Sequence, residues 1–240
     1  MARLTDNQLI QELWARRQKL AETRDHLARV HGWDMHDIRL AVFTKIEHAV
    51  GCTALGFESM TEFLCTHRQH RDRSFRYPIN QSVAAELAGF YKLGFIQFVF
   101  SAVESSLRAL LRALKPTAAN NGTAEFKSIY DCLIRTELSL PSGQAGIDVL
   151  DFFRALRNTL HNNGVSFHKL GTDITISYRG TSYEFIHGQK IGFAYWDLCL
   201  ALIDDVLDLV TAVIVHQRVT ALPFTRDPFA STTVVAPDNL

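Results

Sequence analysis

The stretch Val83–Lys115, VAAELAGFYKLGFIQFVFSAVESSLRALLRALK, decides the fold. Its centre is apolar on nearly every side, and Pro116 ends it before the polar loop TAANNGT. A helix with that pattern belongs in the middle of a helical core. Its longest uncharged run, Leu93 to Val103, falls short of the ~20 residues that a membrane-spanning helix needs. The neighbouring segments therefore read as layers packed around it.

On the N-terminal side, Leu9, Ile10, Leu13, Trp14, Leu20, Leu27 and Ala28 recur at helical spacing within Leu4–Val30. Leu13, Leu20 and Leu27 stand seven apart, too few repeats for a coiled coil, so they predict one stripe packing on the domain. His31-Gly32 supplies a stop. Asp34 is placed to cap a second helix through Ile38, Val42, Ile46 and Ala49, and Gly51 and Gly56 then interrupt its pattern. Residues 66–80, THRQHRDRSFRYPIN, carry four arginines and read as a linker or exposed basic loop.

On the C-terminal side a shorter helix spans Ala124–Glu137, and another runs from Ile147 to about Leu160, ending at HNNG. The period then changes to two. Ile174, Ile176 and Tyr178 alternate, Arg179-Gly180 turns the chain, and Tyr183, Phe185 and Ile186 return, predicting a β-hairpin near 172–187. A last helix covers about Gly192 to Val215. The expected organisation is mainly α: an N-terminal helical extension and basic loop (1–80), a helical domain with one hairpin before its last helix (81–222), and a flexible tail (223–240).

Charge narrows the function. The chain of 240 residues balances 25 Lys and Arg against 25 Asp and Glu. A broad phosphate-attracting surface is excluded, although a local basic pocket is not. The N-terminus has no apolar leader pattern, and Cys52, Cys65, Cys132 and Cys199 form no CxxC pair. They read as reduced, mostly buried residues of a cytoplasmic protein.

The stretch that carries chemistry is Asp151–Gly164, DFFRALRNTLHNNG. At 100° per residue, with His161 at zero, Arg154 falls at about +20°, Arg157 at about −40° and Asn158 at about +60°. Val149, Phe152, Phe153, Leu156 and Leu160 fall on another side. Two guanidiniums, an amide and an imidazole thus share one polar sector. Imidazole exchanges protons near neutral pH, and guanidinium forks match a phosphate that is gaining charge.

The run R-x-x-R-N-x-x-H-N-N-G, at the end of an amphipathic helix and preceded by a long apolar one, resembles the HEPN superfamily. The resemblance covers roughly residues 83–216, with its specific part near ten residues. It implies a helical bundle, usually dimeric, that cleaves RNA without metal or other cofactor where two motif helices meet, often in defence or toxin–antitoxin systems. His161 is then the acid/base. The motif arginine is Arg154, with six residues between it and His161, or Arg157, with only three between but followed by Asn158. Asn162 supports the site. Glu104 resembles the acidic position opposite the motif and pairs either with Arg154 or Arg157, or along its own helix with Arg108.

The resemblance also admits a catalytically inactive helical module that binds a protein partner or RNA. The expected partners are RNA, a second copy of the chain, and an antitoxin or defence protein; no membrane is expected. Arg68, Arg71, Arg73 and Arg76, with Phe75 and Tyr77, read either as RNA-binding or as a solvated basic loop. Cys65, His67 and His70 lack the second ligand pair of a zinc site. Asp197, Asp204, Asp205 and Asp208 read as a solvated stripe on which a basic partner could dock. Phosphate-loop, dinucleotide, GxSxG and HExxH motifs are absent from the sequence.

Overall fold

A computed structural model describes residues 4–69, 81–119 and 125–227. Thr5 opens the first helix, α1 (Asp6–His31). Its hydroxyl accepts from the Gln8 N–H, and the Gln8 side chain accepts from the Thr5 N–H in return. Gly32 closes the helix at φ 64°, a left-handed conformation that suits glycine. Leu9, Leu13, Leu20 and Leu27 are all buried, so the seven-residue spacing is a packing stripe directed onto α2 (Ile38–Gln69). Each such leucine contributes about 1.5–3 kcal/mol by leaving water.

Two expectations for α2 need correction. Asp37, not Asp34, caps it: Asp37 Oδ1 accepts from the Arg39 N–H at 2.9 Å, while Asp34 turns the preceding loop by accepting from the His36 N–H at 2.7 Å. Nor do the glycines interrupt it. A Cβ at Gly56 would lie 2.6 Å from the Tyr91 ring of α3 (Gln81–Leu114), and one at Gly51 would lie 3.0 Å from the Arg17 side chain. These glycines are points where neighbours approach the helix closely. Residues 66–69 form its last turn, and 70–80 lie outside the described residues.

The central helix α3 divides in two. From Phe95 to Leu111 it buries Ile96, Val99, Phe100, Val103, Leu107 and Leu110 and leaves Phe98 exposed on its outer face, while toward its start Val83, Leu87 and Phe90 stay exposed. By length and composition it could cross a membrane, yet half of that stretch is packed inside the protein. A 3₁₀ turn (Pro116–Ala119) follows, and then α4 (Phe126–Asp131) continues into a wider π-helical turn, Cys132–Glu137.

The helix carrying the polar sector, α5 (Gly143–His161), starts four residues before the expected Ile147. Gly146 explains the early start. A Cβ there would sit 2.6 Å from Leu209 of α6 (Trp196–Ile214), so this loop-like sequence lies as helix against a close neighbour. Strands β1 (Ile174–Tyr178) and β2 (Thr181–Phe185) pair antiparallel, with Tyr178 opposite Thr181. Arg179 (φ 48°) and Gly180 (φ 73°) supply the two left-handed residues of a type I′ turn. Phe152 of α5 stacks on Tyr178 at 4.6 Å and meets Phe185 edge-on, which fixes the hairpin against the motif helix.

After α6 comes a single turn, α7 (Gln217–Thr220). Arg39 reaches across to accept nothing and donate everywhere: Nη1 to the carbonyls of Val219, Thr220 and Leu222, Nε and Nη2 to Asp37. Residues 223–227 are likewise attached, through an Asp37–Arg226 bridge and a Lys45–Asp227 ion pair at 2.9 Å; residues 228–240 lie outside the described set. One buried core runs from Leu9 to Val219, and the first two helices share it with the rest. Of the described cysteines only Cys199 is buried; Cys132 is half-buried and Cys52 exposed. Burial pushes the Cys199 thiol up to about 12, leaving no thiolate at neutral pH.

Candidate functional site at the end of the fifth helix

The apolar stripe of α5 (Ile147, Leu150, Phe152, Phe153, Leu156) faces the core, so the last turns present Arg154, Arg157, Asn158 and His161 outward. Asn163 (φ 55°) and Gly164 (φ 83°) then stop the helix. The Gly164 N–H returns to the Thr159 carbonyl at 2.9 Å, closing the turn around His161 and Asn162. His161 is exposed, and among the described residues its ring makes no hydrogen bond or ion pair.

The two arginines differ. Arg154 leans back along the helix, its Nη2 3.4 Å from Asp151 Oδ1, with its side chain 36% exposed. Arg157 lies over the ring of Phe100 on α3, 4.9 Å from guanidinium carbon to centroid, and donates to Asn158 Oδ1 at 3.0 Å. The Nε of each is buried without a hydrogen-bond partner. Arg154 is thus positioned by Asp151, and Arg157 by Phe100 and Asn158, and each keeps donors uncommitted, the condition under which an added anion gains most.

Asp151 holds this side of the helix in place. Its carboxylate accepts from Lys127 Nζ at 2.8 and 2.9 Å and, through a short bond, from the Tyr130 hydroxyl, both on α4. Burial alone would raise this carboxyl, but the Lys127 and Tyr130 hydrogen bonds outweigh it and the group sits below the usual carboxylate range. The Tyr130 phenol is shifted far upward, by burial first and then by its anionic partner. Sequence spacing gives Asp151 away only as a residue three before Arg154. Lys127, Tyr130 and Phe100 have no local signal.

Other expected members lie elsewhere. Glu104 pairs along its own helix with Arg108, Nη2 to Oε1 at 2.6 Å, and the ion pair with Arg154 or Arg157 does not form. The i,i+4 geometry gives it the nearer cation, and the position one turn earlier, Phe100, meets Arg157 instead. Arg68 lies in the last turn of α2 with its side chain outside the description; Arg71, Arg73 and Arg76, with His70, Phe75 and Tyr77, lie outside the described residues. The acidic stripe of α6 is partly occupied from within. Asp204 binds Arg16, and Asp205 binds both Tyr178 and Arg179.

Beside the end of α5 opens a cleft of about 630 Å³, lined by Glu86 and Phe90 of α3, by Leu160 and Asn163, and by Lys190 and Tyr195 beyond the hairpin. Its size suits a small organic ligand or one nucleotide unit. Leu160 and Asn163 stand on either side of His161 in sequence, but His161 itself, like Arg154 and Arg157, is not part of the lining. Compared with protein-family models, with curated proteins and with solved structures, the chain matches none.

Proposed function

We propose that the chain is a metal-independent endoribonuclease of HEPN type, acting in the cytoplasm as a homodimer within a defence or toxin–antitoxin system. The observation that carries this reading is the open end of α5. An unpartnered, exposed imidazole stands there beside two guanidiniums with uncommitted donors. In this mechanism the ribose 2′-hydroxyl gives up its proton as its oxygen attacks the adjacent phosphorus, the bond to the 5′-oxygen breaks, and the departing oxygen takes a proton. The products are a 2′,3′-cyclic phosphate and a 5′-hydroxyl. His161 moves the proton, Arg154 and Arg157 share the charge gathered on the phosphate, and Asn158 orients Arg157. The exposed row Val83, Leu87, Phe90 and Phe98 on α3 is the surface that a second copy would cover, bringing two motif helices together.

Purified protein incubated with total RNA in EDTA tests the reading. The wild type is expected to yield cyclic-phosphate ends, and His161→Ala to lose about 10²–10⁴-fold in rate. Equal cleavage by both proteins, or none by either, would sink it. A second reading, an inactive module that binds RNA or a partner protein, draws on the Arg154–Asp151 contact, which directs one arginine toward the protein. RNA binding without cleavage would favour it.

A further inference from the structure

We infer that the loop following α5 carries a base-stacking subsite for single-stranded RNA, with Phe167 as its platform and His187 as its support. This inference rests on the ribonuclease reading and adds where the bases of the substrate go.

Phe167 is 58% exposed and Leu170 76%. Single exposed apolar residues are ordinary on protein surfaces, but this ring is held on both sides. Ser166, itself buried, donates its N–H to the Gln189 carbonyl at 2.9 Å and accepts from the Gly188 N–H at 2.7 Å. On the other side, the His168 N–H donates to His187 Nδ1 at 3.2 Å, and the His187 N–H donates to Asp173 Oδ1 at 2.8 Å. The Phe167 and His187 rings meet edge to face, centroids 5.7 Å apart at 82°. That geometry takes at most one face of the phenyl ring and leaves the other to solvent. A fixed ring loses little freedom when a flat partner lands on it, which is what a base needs.

The flanking groups suit a nucleic-acid strand. Lys190, bridged to Val165 and with its side chain beside Gly164, supplies a cation to this loop, while Asp173 accepts from the His187 N–H and Glu125 pairs with Lys169 at 3.2 Å. An exposed aromatic face on which bases stack holds a single strand without reading sequence. The site is also close to the chemistry. Six peptide steps separate Phe167 from His161, at most about 21 Å fully extended, and the left-handed turn at Asn163–Gly164 shortens that path. A base stacked on Phe167 is therefore within a few nucleotides of a phosphate at His161.

The test uses His161→Ala protein, so that the RNA stays whole, and a fluorescein-labelled 12-nucleotide single-stranded RNA of mixed sequence, read by anisotropy. Adding Phe167→Ala is expected to weaken binding about 5- to 100-fold, whereas Phe167→Trp holds it within about threefold. An RNA backbone of equal length lacking all bases should bind the three proteins alike. If Phe167→Ala leaves binding of the mixed RNA unchanged, the subsite is wrong while the ribonuclease reading stands. If the Phe167→Ala loss persists on the baseless backbone, the ring acts on the fold rather than on bases, and the subsite is again wrong. If the parent binds no RNA and wild-type protein cleaves none, both readings fall together.

Discussion

Two arginines of this chain are both placed against aromatic rings, yet they occupy opposite conditions. Arg39 is buried, lies over Trp33 at 4.4 Å, and has its donors committed to Asp37 and three carbonyls. Arg157 is half-buried, lies over Phe100, donates to Asn158, and leaves its Nε without a partner. The first guanidinium closes the structure by tying the start of α2 to α7 and to Leu222 just beyond it. The second is positioned but unsaturated, and only that kind has donors to offer a phosphate. The saturation of its donors, rather than the presence of charge, separates a clamp from a candidate ligand site.

Breaking the clamp should have the largest effect. Asp37→Ala leaves a buried charge uncompensated and is expected to lower stability by about 3–5 kcal/mol in urea unfolding, with the remaining folded protein still cleaving RNA at its normal specific rate. Arg157→Lys should do the reverse. Stability stays within about 1 kcal/mol, while kcat/KM on RNA falls about 10²-fold, because an ammonium keeps the charge but neither the fork nor the ring stacking.

Next in size comes the carboxylate behind the site. Tyr130→Phe removes a hydrogen bond to Asp151 and should cost about 1–2 kcal/mol in the same unfolding assay. The Asp151 carboxyl is lower in the folded protein than in the unfolded chain, so its contribution is full above about pH 4. That contribution is lost as pH falls through the folded value. Wild type and Asp151→Asn should therefore differ in stability at pH 6 and converge in strong acid, as followed by thermal melting. The smallest effect is assigned to Glu104→Gln, which weakens a half-buried i,i+4 pair within one helix and should change stability by about 0.5–1 kcal/mol and RNA cleavage by less than twofold. A large loss of cleavage there would return Glu104 to the site.

Much of the fold is legible in the sequence because its signals are local. The Leu13–Leu20–Leu27 stripe, the hairpin around Arg179-Gly180 and the stop at Asn163-Gly164 each need only a few neighbouring residues. Gly51, Gly56 and Gly146 mislead because their role is set by what another part of the chain places against them: Arg17, Tyr91 and Leu209. Asp34 misleads for a different reason, since Asp37 lies three residues on and the chain's turn decides which carboxylate reaches the helix. At the candidate site, helical periodicity alone puts Arg154, Arg157, Asn158 and His161 on one sector. What aims the arginines is supplied by Asp151, Tyr130, Lys127 and Phe100, three of them on helices far away in sequence.

Gly146 has a consequence for the other end of its helix. With Leu209 seated where a side chain would be, α5 is indexed like a dial, and one setting alone brings its bare position against α6. A methyl group there would make either the Leu209 side chain or the helix give way. A rotation of only 10° sweeps a side-chain tip about 5–6 Å from the axis through about 1 Å. Reacting groups misplaced by that much can lose about 10² in rate. A silent-looking glycine four turns away from His161 thus bears on the angle at which the helix presents the imidazole.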